Sequence, residues 1–205
     1  MSEPAVLVLG IGNVLWADEG FGVRCVERLH DQWDLGADVR VMDGGTQGLY
    51  LVPYVTESRH VLVFDAVDFG DPPGTKRVVR GADVPACMGQ HNVSLHQVGF
   101  QDVLAATELL GVPPERITLI GVQPELLEDY GGGLTPTVAA QVDPAIAIAI
   151  AELRAWGLHP VRRVERPPPL LDTSIMRAAY EDGRPSVEDA CRTGDPRFFP
   201  REGGR

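Results

Sequence analysis

Apolar and polar positions divide the chain into segments with two distinct periods. Ala5 to Leu9 is an unbroken apolar run that ends at Gly10 and Gly12, the pattern of a strand buried on both faces and stopped by a tight turn. Val23, Val26, Leu29 and Trp33 then recur at steps of three and four, which predicts a helix with Asp18 as N-cap and Glu19 in its first turn. Asp38 to Asp43 alternates Val39 and Val41 with polar neighbours and runs into Gly44-Gly45-Thr46, a second strand closed by a glycine-rich loop. Thr46 is placed to cap a helix through Leu49, Val52 and Val55, shortened or kinked by Pro53. His60 to Val67 carries V-L-V-F before Asp65 and reads as a central parallel strand.

The second half continues the alternation. Pro72, Pro73 and Gly74 turn the chain into a short strand, Thr75 to Arg80, whose basic residues suit an exposed sheet edge. Ala82 to Asn92 shows no period and is read as a loop. Ser94 and Gln97 form a capping box before a helix with Leu95, Val98, Val103, Ala106 and Leu110 on its apolar side. Arg116 to Val122 is another apolar strand, followed by Thr135 as N-cap and Pro136 in the first helical position. The A-I-A-I-A-I-A stretch alternates like a strand, but its length, its alanines and Gly157 beyond it predict a helix, restarted or kinked at Pro144. Strands alternating with helices imply a three-layer α/β/α domain with a mostly parallel sheet.

Composition refines this picture. Residues 160–205 hold seven prolines and nine arginines against eight acids, so the domain 1–159 carries the whole negative excess of the net charge of −11. The segment 160–205 is expected to be a partly disordered extension, with short helices near Ser174–Tyr180 and Ser186–Arg192. An acidic chain without a basic face does not suit nucleic acid. No apolar run approaches the roughly 20 residues that span a bilayer, and the N-terminus lacks the positive flank of a signal peptide. Cys25, Cys87 and Cys191 are too far apart for a zinc or redox motif, which favours reduced thiols and a cytoplasmic setting.

The candidate chemistry lies at the carboxyl ends of the predicted strands, where open α/β sheets place their ligands. Glu19 follows the first strand, Asp65 ends the third, and His96 falls in the first turn of the helix begun by Ser94. Two carboxylates and an imidazole form a mixed O/N donor set for a metal, with room for further ligands. A helix N-terminus favours the ionised carboxylate and the neutral imidazole, the forms that ligate. His91 is a competing ligand of second rank. Asp43, Gly44, Gly45 and Thr46 belong to the same rim, and the glycines admit the close approach of a peptide backbone. Asp68 and Asp71 read as solvated loop acids, and Cys87 near two histidines is a weak nucleophile signal. Gly10 and Gly12 begin a dinucleotide fingerprint, but Leu15 stands where its third glycine belongs.

Several motifs in order carry a more specific signal: G-I-G-N-V-L-W-A-D-E-G-F-G-V at 10–23, D-G-G-T at 43–46, D-A at 65–66, S-L-H-Q-V-G at 94–99, L-I-G-V-Q-P-E at 119–125 and G-L-T-P-T-V at 133–138. From Val6 to Gly157 the chain resembles the endopeptidases that mature the large subunit of [NiFe] hydrogenases. That resemblance implies a twisted five-stranded sheet flanked by helices, and an endopeptidase that removes the C-terminal extension of the large-subunit precursor after nickel insertion. It also implies that Glu19, Asp65 and His96 contact nickel supplied by the precursor rather than a permanent metal; the mechanism expected from this places the scissile bond at the rim near residues 43–46. A monomer is expected. Two other classes of function are compatible with the residues: a non-catalytic nickel chaperone or assembly factor for hydrogenase, and a nucleotide-binding domain built on Gly10 and Gly12.

Overall fold

The computed structural model describes residues 5–89, 95–127, 129–130 and 132–180, excluding the side chains of 89 and 95–98. Strand β1 (Val6–Ile11) leads through a 3-10 turn (Ala17–Gly20) into helix α1 (Phe21–Gln32), followed by the short β2 (Trp33–Asp34) and by β3 (Val39–Gly45). A second 3-10 turn (Gly48–Leu51) runs into α2 (Val52–Thr56), then come β4 (His60–Ala66), β5 (Lys76–Arg80), α3 (Asp83–Gly89), α4 (Leu95–Leu109) and β6 (Arg116–Val122). Helices α5 (Pro136–Ala139) and α6 (Val142–Ala155), strand β7 (Val161–Arg162) and helix α7 (Arg177–Tyr180) complete the order.

The central sheet has five strands in the order β3-β1-β4-β6-β5. Its first four strands run parallel, and β5 joins β6 antiparallel at the edge. Side-chain alternation sorts the core into two layers. Val6 and Val8 of β1, Leu62 and Phe64 of β4, and Ile120 and Val122 of β6 pack against α1, α5 and α6. Leu7, Leu9 and Ile11, with Val61, Val63 and Leu119, pack against α2, α3 and α4. Strands β1, β4 and β6 thus bury both faces, as their unbroken apolar runs require.

Glycine allows the layers to come close. A Cβ on Gly22 of α1 would lie 2.2 Å from the Phe64 carbonyl oxygen, and one on Gly10 would lie 2.4 Å from the Gly22 carbonyl oxygen. The glycines that resemble part of a nucleotide fingerprint therefore serve to seat α1 on the sheet. Pro53 stands in the first turn of a two-stage helix, and the helix after Thr135 restarts as α6, whose Ala145, Ile146, Ala149 and Ile150 are buried. The helical stretch Pro136–Ala155 is long and apolar enough to cross a membrane by composition, but its apolar side is buried against the sheet.

Three expectations change. Asp83–Gly89 is helical where a loop is predicted: Val84 and Met88, four residues apart, are buried, and Pro85 is tolerated in the first turn. Asp18 does not cap α1, whose N-cap is Gly20 with no side-chain bond. Thr46 does not cap the next turn either, since that position falls to Gln47. The Ser94 capping box and the predicted helix Ser186–Arg192 lie outside the described residues.

Candidate active site

The four parallel strands end on one rim, at Ile11, Gly45, Ala66 and Val122. Glu19 reaches it on a turn held from several sides. Gly12, with φ of +131°, leaves so little room that a Cβ there would lie 1.8 Å from the Glu19 carbonyl oxygen. Ala17 adopts a φ of 39°, a conformation that costs a residue with a side chain about 1 kcal/mol or more and persists only where its surroundings impose it. Those surroundings are the segment 125–135. Ala17 N donates to the Gly132 carbonyl and Asp18 N to the Leu126 carbonyl, both at 3.1 Å. The fully buried Asp18 carboxylate accepts from Glu125 N and Leu126 N at 2.9 Å, Thr135 N at 2.7 Å and the Thr135 hydroxyl at 3.1 Å. Trp16 bridges to Tyr130, and their rings meet edge to face at 5.3 Å. The turn also packs on β4, leaving Glu19 half-buried.

Asp65, one residue from the end of β4, is completely buried. Alternation puts it on the face of Val61 and Val63, toward α3 and α4. Its charge acts on Cys87 of α3, whose thiol is pushed up first by burial and further by Asp65, with Arg77 opposing. A thiol held in its neutral form is a poor nucleophile, which weighs against Cys87 in that role. His96 is the second residue of α4. Its side chain and the whole of His91 lie outside the described residues. The helix is nevertheless anchored at the rim: a Cβ on Gly99 would come within 3.3 Å of Gly48 Cα, so α4 crosses the loop after β3 glycine against glycine.

Asp43 turns the other way. It lies on the face of Val39 and Val41, beneath α1. Its carboxyl is raised above the usual range chiefly by burial, lowered by the Gly45 amide and the nearby Arg24, and raised again by Glu27. Asp43 Oδ1 accepts from Gly45 N at 2.8 Å, and Gly45 takes φ of +46°. The register passes from Gly10 opposite Asp43 to Ile11 opposite Gly45, so Gly44 is the extra residue of a bulge. The rim therefore holds Glu19 and Asp65 near β4, with Asp43 toward α1 and Thr46 exposed beyond the bulge. Among the described residues, no three His, Cys, Asp or Glu side chains gather to hold a metal ion, and the His96 side chain is not among them.

Sequence reasoning missed two supporting residues. Asp18 is one. The other is Gln123, whose Oε1 accepts from Phe69 N at 2.7 Å and Asp71 N at 3.2 Å while its Nε2 donates to Asp68. It orders the loop that leaves Asp65. Asp71 pairs with Arg77 through both oxygens, so it is engaged rather than simply solvated. The Q-P-E and D-E-G motifs contain these residues, but nothing in their local pattern shows that each reaches across more than fifty positions.

A parallel α/β sheet with buried and half-buried acids on its carboxyl rim defines a class of ligand-binding and hydrolytic domains, and comparison with known proteins narrows it. The profile of the family described as hydrogenase maturation protease matches residues 23–152, and the chain belongs to that family. It is 60% identical over 195 residues to the hydrogenase expression/formation protein HupD of Rhodobacter capsulatus, a match covering 95% of this chain and 93% of the relative. It is 50% identical over 202 residues to the hydrogenase expression/formation protein HoxM of Azotobacter vinelandii, covering 98% of each. Among solved structures, the hydrogenase maturating endopeptidase HybD from E. coli aligns with a TM-score of 0.73 at 41% identity, over 77% of this chain and 97% of its own. The expected five-stranded fold and a protease activity follow from family membership.

Proposed function

We propose that this protease removes the C-terminal extension of a [NiFe] hydrogenase large-subunit precursor once nickel has entered it. In this reading Glu19, Asp65 and His96 meet the nickel carried by the precursor, and residues 43–46 face the peptide to be cut. The observation that carries it is the construction of the rim: a strained turn, locked by Gly12 and Asp18, holds Glu19 against β4, the strand that carries Asp65. The Gly44-Gly45 bulge offers backbone at which an extended peptide can lie, and Asp43 is held beside it. With Cys87 kept neutral, attack by water is favoured over a covalent thioester route. The reading carries with it a cytoplasmic setting and a monomeric enzyme.

The test uses the full chain with nickel-loaded and nickel-free precursor, following the mass of the large subunit. Shortening of the loaded form alone is expected. No shortening in either form would leave the nickel chaperone as the better description, and equal shortening of both would remove nickel as the signal. His96→Ala should abolish processing with an unchanged circular dichroism spectrum, and retained processing would transfer the role to His91.

A further inference from the structure

The segment after α6 is not a free appendage in its first part. Strand β7 pairs antiparallel with β2. Arg163 N donates to the Gln32 carbonyl at 2.9 Å, and its guanidinium reaches the carbonyls of His30 and Trp33 at 3.1 and 3.0 Å, covering the acceptor end of α1. His30 Nε2 donates to the Pro168 carbonyl at 3.0 Å, and Arg166 pairs with Asp31 at 2.6 Å. The chain thus runs back along α1 towards its N-terminal end. There Leu171, 6% exposed, joins Val14 and Val23, with Leu15, Ile175 and Met176 packed around them. Arg24, 2% exposed, donates to Glu27 at 3.0 Å and to the Ile175 carbonyl at 2.7 Å. Glu27 in turn accepts from Arg177 N at 3.1 Å.

The later part of this strap meets the rim in two places. Val14 and Leu15 lie in the turn that delivers Glu19, and Arg24 stands on α1, the helix that packs over the face of β3 carrying Asp43, where its charge acts on that carboxyl. We propose that residues 161–180 are a positioning element of the active site, which buttresses the Glu19 turn through Leu171 on Val14 and fixes Arg24 beside Asp43 through the Ile175 carbonyl. The assignment rests on the protease reading above. Size separates it from a general role in folding. HybD aligns over 77% of this chain with 97% of its own, so it is too short to carry body and strap together, whereas the HoxM match over 202 residues includes the strap. The family fold is therefore complete without the strap, and its effect falls on the turn it touches. The exposed pair Arg166–Asp31 adds little by itself. The apolar cluster and the buried Arg24 carry the coupling.

The experiment compares the full-length protein with its Leu171→Ala/Met176→Ala variant by hydrogen exchange and by processing of nickel-loaded precursor. Amides 13–20 should exchange faster by about tenfold, with β4 and β6 unchanged, as expected for local opening of one unit. The kcat should fall by about tenfold with KM held within about twofold, as expected when an interaction made only in the transition state is lost. Unchanged exchange at 13–20, unchanged processing, or a uniform rise across β4 and β6 would each overturn the proposal. Arg24→Lys keeps the charge but not the fork that reaches two acceptors. It should lower kcat with exchange in β4 and β6 unaltered, and full activity in this variant would remove Arg24 from the coupling. The exchange measurement does not depend on what the enzyme cuts, and failure of the wild type to process would count against the protease reading alone.

Discussion

The two faces of the rim are built differently. On the α1 face, the Glu19 turn is held by hydrogen bonds to residues more than a hundred positions away, through Asp18 and Ala17. On the α3/α4 face, Asp65 lies among apolar residues, and α4 meets the β3 loop by glycine-to-glycine contact. Hydrogen bonds have fixed directions and hold a turn in one geometry. Apolar packing fixes separation but tolerates small shifts. The first face is suited to presenting Glu19 at a set position, and the second tolerates small shifts of α4.

The contrast can be broken most strongly at Asp18. Asp18→Asn leaves an amide group facing backbone N–H donors that need an acceptor. Its expected loss is about 3 kcal/mol by chemical denaturation, with processing lowered even where the protein remains folded. A loss below about 0.5 kcal/mol, the range of ordinary surface changes, would mean that the carboxylate does not lock the turn. On the other face, Gly99→Ala should cost less than about 1 kcal/mol, because the loop can yield by a few tenths of an ångström. Its mark should be a higher KM for the precursor, and a stability loss as large as that of Asp18→Asn would show the two faces to be equally rigid.

The smallest effect concerns pH. The Asp43 carboxyl is raised by burial, so the folded state binds its proton more tightly than the unfolded chain does. Its contribution to stability is fully present below the ordinary aspartate range and is lost as pH rises through the raised value. Asp43→Asn should flatten that part of the stability curve, which lies above the ordinary aspartate range. An unchanged slope in urea titrations would show that the group titrates normally.

Much of the fold is legible in the sequence because local rules settle it. Unbroken apolar runs mark β1, β4 and β6, Thr135-Pro136 starts α5 with the Thr135 hydroxyl accepting from Val138 N, and Gly157 ends α6 at φ of +89°. The rim positions of Glu19, Asp43 and Asp65 follow from the order of elements. Helix α3 is less legible, since its seven residues are too short to show a period. Asp18 resembles an N-cap because the acid stands just before the helix, whereas buried amides of a distant segment claim it first. The strap is obscured by composition: its prolines and arginines read as solvated chain, and the carbonyls at the end of α1 that hold Arg163 come within reach only in the fold. That Asp43 and Asp65 point to opposite faces can be read from alternation, but only once the register is known.

The bulge at Gly44 bears on how such a chain can drift through evolution. One residue is inserted between two register pairs, Gly10 with Asp43 and Ile11 with Gly45. Removing or adding a single residue there would change how Asp43 and Gly45, the last paired residues of the strand, meet the end of β1. Substitutions can accumulate along this stretch, but its length is effectively frozen. Changes in substrate preference that need a longer or shorter loop would then have to arise beyond Thr46, where the chain is already exposed.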